Sequence, residues 1–81
     1  MIVKVILFAS AKDVVGSDAV ELNLDQDATV ADVKSQLVEQ HPDLLDIIER
    51  STWSVDHEYV DLSAGLHESA EIGLLPPVSG G

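Results

Sequence analysis

The sequence predicts an α+β roll, a sheet with a main helix laid over one face. Three observations predict it: an aliphatic run over residues 2–8, apolar alternation from Asp18, and helical spacing of apolar residues after Thr29, followed by more strand-like segments. Eighty-one residues make one domain with room for one core, burying roughly 60% of the unfolded surface.

Residues 2–8 are β-branched and aliphatic almost throughout, the pattern of a central strand covered on both faces or nearly so. Residues 10–17, with Gly16, read as a loop. Val20, Leu22 and Leu24 then alternate with Glu21, Asn23 and Asp25, which predicts a half-buried strand antiparallel to the first; Asp25-Gln26-Asp27 ends it. Thr29-Val30-Ala31-Asp32 has the form of a helix start. The Thr29 hydroxyl can accept from the Asp32 N–H, and the Asp32 carboxylate suits the positive helix end. Val30, Val33 and Leu37 fall on one face of this helix, which therefore needs a sheet to cover. His41-Pro42 stops it, because the residue before proline is pushed out of the α region. Leu44, Leu45, Ile47 and Ile48 predict another short helical turn ending near Arg50. Trp53, Val55 and His57 alternate with Ser54 and Asp56 as a third strand, and residues 59–62 pair beside it as a short edge. A loop over 63–69 leads to a last strand over 70–75.

Composition narrows the function. No cysteine is present, so the chain has no disulfide framework, thiolate metal site or cysteine nucleophile, and any sulfur chemistry uses imported sulfur. The opening apolar run contains Lys4 and lacks both a basic leader and a small-residue cleavage site, so it reads as a strand and not a signal peptide. No apolar stretch approaches the roughly 20 residues that span a bilayer. A soluble, cytoplasmic protein is expected. Fifteen acidic against four basic residues, a net charge of −11, argue against nucleic-acid and membrane-surface roles. Two readings of that charge stand: complementarity to a basic protein partner, or solubility of a small apolar domain. Disorder is excluded by 46% apolar residues in clear periodic segments.

His41, His57 and His67 have no metal-ligand spacing and read as structural or exposed. Asp43 with Asp46, and Glu68 with Glu71, read as solvated surface pairs. The serines lack a nucleophile elbow and the glycines form no phosphate-cradling loop, so no independent active site and no bound cofactor are expected. The chemistry then falls to the ending, Leu74-Leu75-Pro76-Pro77-Val78-Ser79-Gly80-Gly81. Side-chain-free glycines can thread a passage closed to other residues, and the two prolines favour an extended approach. The expected organisation is a domain over 1–75 and a tail over 76–81, flexible when free and ordered when bound. A carboxylate is a poor electrophile until activated, most simply as an acyl adenylate made by an ATP-using partner. Once activated, Gly81 can accept sulfur as a thiocarboxylate or pass to an amine as an amide.

Five segments carry a family resemblance over the whole chain: Val5-Ile6-Leu7-Phe8-Ala9, Lys12-Asp13-Val14-Val15-Gly16, Thr29-Val30-Ala31-Asp32-Val33, Ser54-Val55-Asp56-His57-Glu58-Tyr59-Val60, and Pro76-Pro77-Val78-Ser79-Gly80-Gly81. The final hexad is the specific part. The chain resembles the MoaD-like sulfur carriers, the molybdopterin synthase small subunits of the ubiquitin-like β-grasp fold. The resemblance implies a mixed sheet and a Gly81 that is adenylated by a ubiquitin-activating-type enzyme and converted to a thiocarboxylate. Inserted into the large synthase subunit, in a complex of two small and two large subunits, it would donate sulfur to cyclic pyranopterin monophosphate to form the molybdopterin dithiolene. ATP belongs to the activating enzyme, and the pterin pocket to the large subunit.

The same resemblance assigns Phe8, Leu74 and Leu75 as apolar docking residues, Tyr59 as a further contact, and Pro76 to Gly81 as the inserted tail. Alternate strand residues must face inward, so one of Leu74 and Leu75 is expected in the core, and Phe8 has the same alternative. Three departures stand out: Lys12 at an interface position where the family usually has arginine, Asp56 for the common asparagine, and Ser69-Ala70-Glu71-Ile72 for a Gly-Asp-Glu-Val turn. Related carriers for thiazole synthesis or tRNA thiolation, a ubiquitin-like modifier joined to lysines, and a plain interaction module with an inert terminus are the rival readings.

Overall fold

The computed structural model describes residues 1–77. Its strands are β1 (Ile2–Leu7), β2 (Ala19–Asn23), β3 (Thr52–Val55), β4 (Glu58–Val60) and β5 (Glu71–Leu75). Its helices are α1 (Ala9–Val15), α2 (Val30–Gln40) and α3 (Leu45–Glu49), with a 3₁₀ turn at Pro42–Leu44 before the last. The sheet runs β2-β1-β5-β3-β4. β1 is antiparallel to β2 and parallel to β5, while β3 is antiparallel to both β5 and β4. This is the expected mixed sheet of a β-grasp roll, with its helices on one face.

Pleat alternation explains the one-sided cover. Val3, Val5 and Leu7 of β1, Leu22 of β2, Trp53 of β3, and Ile72 and Leu74 of β5 point to the same side and are buried. They meet Ala11 of α1, Val30, Val33 and Leu37 of α2, Leu44, and Ile48 of α3 in one cluster. The α2 residues are those the sequence spacing selected. Leu37, with no exposure, contributes about 2 kcal/mol by leaving water. Helix α2 begins at the predicted Thr29/Asp32 capping box, in which the Thr29 N–H donates to Asp32 Oδ2 at 2.8 Å. It ends at His41, before Pro42.

Three expectations are corrected. Residues 9–15, read as loop from position 10 on, form α1. Ala11 is buried and Val15 half-buried one turn later, and Gly16, at φ 81, closes the helix by donating its N–H to the Lys12 carbonyl at 2.8 Å. The helix is short, starts at Phe8 with no side-chain cap, and ends in β-branched Val14-Val15, so its local signal is weak. Second, β1 is central by hydrogen bonding but covered on one face only: Ile2 and Lys4 are exposed and Ile6 is half-buried. β-Branched residues favour the extended chain whether or not both faces are covered, so an apolar run overstates burial. Third, β3 stops at Val55, and Asp56 and His57, at φ 50 and 73, make the two-residue turn of a tight hairpin. The predicted edge strand is correspondingly shorter, Glu58–Val60, because the Asp61 carboxylate accepts the Ser63 N–H at 2.9 Å and turns the chain.

Candidate functional site

The helices leave the other sheet face open, and the expected docking residues can be placed on it or off it. Register puts Thr52 opposite Leu75, Ser54 opposite both Gly73 and Tyr59, and Ile6 opposite Gly73, all on the uncovered side. Phe8 continues the outward alternation of β1 and is 44% exposed. It lies over β5: a Cβ built on Gly73 would be 3.7 Å from Phe8 Cε2 and would collide with Ser54 Oγ. The glycine at this point of β5 keeps the centre of the face flat. Tyr59, on the edge strand, is 76% exposed.

Leu74 is corrected. It is fully buried opposite Trp53, so it anchors β5 from the core side, and its neighbour Leu75 is the one that faces outward, half-buried. The pleat permits only one of two adjacent strand residues on a face. Lys12 is not at the centre of the face; it lies on α1, where its ammonium pairs with Asp18 at 3.0 Å. That hydrogen bond and charge raise the Lys12 pKa.

The chain leaves the sheet through a cleft of about 450 Å³, lined by Arg50, Thr52, Tyr59, Leu75, Pro76 and Pro77. Pro76 is half-buried and Pro77 exposed, so the root of the tail is seated on the domain. Val78, Ser79, Gly80 and Gly81 lie outside the described residues. Phe8, Leu75, Tyr59 and the two prolines thus form one outward surface that ends at the tail, and among the described residues lining the cleft Arg50 is the one cation.

Comparison with known proteins bears on what such a surface serves. The ThiS family model matches residues 5–81. The chain belongs to the ThiS family. A molybdopterin synthase sulfur carrier subunit of Dictyostelium discoideum is 33% identical over 81 residues, with 96% of this chain and 94% of that protein covered. The small archaeal modifier protein 1 of Haloferax volcanii is 38% identical over 87 residues, with 93% and 95% covered. The crystal structure of SAMP1 from Haloferax volcanii superimposes with a TM-score of 0.91 at 31% identity, covering 100% of both chains. The expected family resemblance and the ubiquitin-like β-grasp fold are therefore found.

A second cluster in this ThiS family chain has no local pattern in the sequence. Asp56 Oδ1 accepts the Glu71 N–H at 3.1 Å while its Oδ2 lies 2.5 Å from His67 Nε2, and His67 Nδ1 lies 2.9 Å from the Glu68 carbonyl. These contacts tie the β3–β4 turn to the loop before β5. The Glu71 N–H, then His67, holds the Asp56 pKa low; Asp56, then the Glu68 carbonyl, holds the His67 pKa high. Among the described residues, no group of three or more His, Cys, Asp or Glu is placed to hold a metal ion. No helix among them is long and apolar enough to cross a membrane. Gly73 carried a usable signal, since an isolated glycine within a strand pattern marks close approach. Arg50 carried a weaker one, as one of four cations in an acidic chain, just before a strand.

Proposed function

We propose that this protein is the sulfur carrier subunit of a molybdopterin synthase, acting through the Gly81 carboxylate and catalysing nothing alone. The carrying observation is the family match that runs through Gly81, on a domain whose open face leads to the root of that tail. The Dictyostelium discoideum relative, a molybdopterin synthase sulfur carrier subunit matched over 94% of its length, supports the same reading. In the proposed cycle a Gly81 carboxylate oxygen attacks the α-phosphorus of ATP on an adenylating enzyme, and pyrophosphate leaves. Hydrosulfide then attacks the acyl carbon, AMP leaves with the electron pair of the broken C–O bond, and the S–H proton is released to solvent. The resulting thiocarboxylate is a good nucleophile toward cyclic pyranopterin monophosphate in the large subunit.

In this scheme Pro76 to Gly80 are the inserted segment, Phe8, Tyr59 and Leu75 the docking surface, and two small subunits join two large ones. The domain serves as a handle, and the large subunit supplies the pterin pocket. Incubation with the adenylating enzyme, ATP and a sulfur donor should exchange one Gly81 oxygen for sulfur, read by intact-mass spectrometry. A chain lacking Gly81 should stay unmodified. An unchanged wild-type mass, under conditions that thiolate a known carrier, overturns the reading.

A second reading, a ubiquitin-like modifier, is favoured by the likeness to small archaeal modifier protein 1 in sequence and fold. It shares the activated Gly81 and differs in the acceptor, an amine instead of the pterin. Isopeptide-linked Gly81 on cellular lysines would support it; co-purification with a large synthase subunit supports the first reading, and with a thiazole synthase the thiazole carrier.

A further inference from the structure

Resting on the proposed activation of Gly81, we infer that Arg50 is the orientation key for the adenylating enzyme, receiving a carboxylate side chain that the enzyme presents beside the root of the tail. Arg50 caps the C-terminal end of α3 and lines the cleft through which Leu75, Pro76 and Pro77 leave the sheet. Its position there is fixed by tertiary structure: β3 begins two residues later, and its Thr52 is paired with Leu75. The backbone is held, with the Arg50 N–H donating to the Ile47 carbonyl at 3.1 Å.

The guanidinium has donors to spare. Among the described residues its side chain makes one hydrogen bond, from Nε to the Asp46 carbonyl at 3.3 Å, and one long ion pair, from Nη2 to Asp46 at 3.9 Å. A planar fork with unused N–H groups beside an apolar floor suits a bidentate carboxylate on the incoming protein. Charge complementarity selects that occupant. The chain carries −11, with only four cations, so a partner carboxylate finds repulsion over most of the surface and attraction at Arg50. A docking pose rotated away from the cleft would lose the pairing with Arg50, which disfavours the wrong register.

The character of the contact selects the enzyme over the large subunit. The Arg50 side chain is 67% exposed, and an ion pair at such a site contributes to encounter rate and orientation more than to lasting affinity. That suits an enzyme that binds, activates and releases many carriers.

The test is steady-state adenylation of the full chain, followed as pyrophosphate release with the ATP-dependent enzyme. Arg50→Glu should raise the KM for the carrier about tenfold with kcat unchanged, Arg50→Ala should raise it less, and Arg50→Lys, which keeps the charge but loses the bidentate fork, should fall between Arg50→Ala and wild type. The salt dependence of kcat/KM should flatten in Arg50→Ala. Lys34→Glu, on α2 and away from the cleft, makes the same charge change and should leave KM within about twofold. Thermal unfolding checks that each variant folds; should Arg50→Glu fail, Arg50→Ala and its salt slope decide. If Arg50→Glu and Arg50→Ala both match wild type, or if kcat falls while KM holds, the inference is overturned and the sulfur-carrier reading stands. If wild type itself is never adenylated, that reading falls and takes the inference with it.

Discussion

At Ser69 the local chemistry disagrees with the place it occupies. It sits at φ 67, in the left-handed region, exposed, with its N–H donated to the Ile2 carbonyl at 3.0 Å. A residue with a Cβ pays roughly 1–2 kcal/mol there, and the ladder to β1 holds it in place against that cost. The sequence flagged this stretch as a departure from a family glycine without revealing the reason, because φ is not written in a side chain. Ser69→Gly should relieve the strain, lose about 0.5–1 kcal/mol to the greater freedom of the unfolded glycine, and gain roughly 0.5–1 kcal/mol net. Urea titration should move the midpoint upward at constant slope; an unchanged or lower midpoint contradicts the strain argument. Leu74 and Leu75 make the complementary point. Their alternation was legible, but which of the two faced inward depended on Trp53 arriving opposite Leu74.

At the scale of elements, α2 was fully legible and α1 was not. Helix α2 has a capping box and three apolar residues at helical spacing, whereas α1 has seven residues, no side-chain cap and a stabilising contact, buried Ala11, visible only once the sheet exists. The Asp56–His67 contact that joins the β3–β4 hairpin to β5 was equally hidden, since its partners are 11 residues apart with no local pattern. Its pH dependence has a definite sign. His67 binds its proton more tightly when folded, so its stabilisation is complete below the ordinary imidazole value of about 6.5 and is lost as pH rises through the raised folded pKa. Asp56 has the opposite dependence: its contribution is complete above about 3.9 and is lost as pH falls through its lowered folded pKa. Melting temperature should therefore decline from neutral into alkaline pH in wild type. His67→Gln should remove that part of the decline, and His57→Gln, which loses only a 3.7 Å approach to Glu71, should keep most of it. Identical profiles for wild type and His67→Gln would show that the latch carries no stability.

For the whole molecule, charge sets the conditions in which the fold is stable. Fifteen acids face four cations, and among the described residues only Lys12–Asp18 and Arg50–Asp46 pair a lysine or arginine with a carboxylate. Asp25, Asp27, Asp32 and Glu39 crowd one groove between the end of β2 and α2. Their repulsion opposes compaction and is screened over about 10 Å at 0.1 M salt. Sodium chloride between about 0.02 and 0.5 M should raise the melting temperature, and Asp25→Asn with Asp27→Asn should shallow the rise; a flat wild-type response would remove self-repulsion as a term. The sequence by itself determined the roll, the main helix, the acidic surface and the Pro-Pro to Gly-Gly ending, because periodicity, capping and composition are local properties. Tertiary structure alone decided that β1 is bare on one face, that Asp56 meets His67, and that Arg50 stands beside the tail. Each of these depends on pairings between strands far apart in the chain, and no local propensity specifies which strand comes to lie beside another.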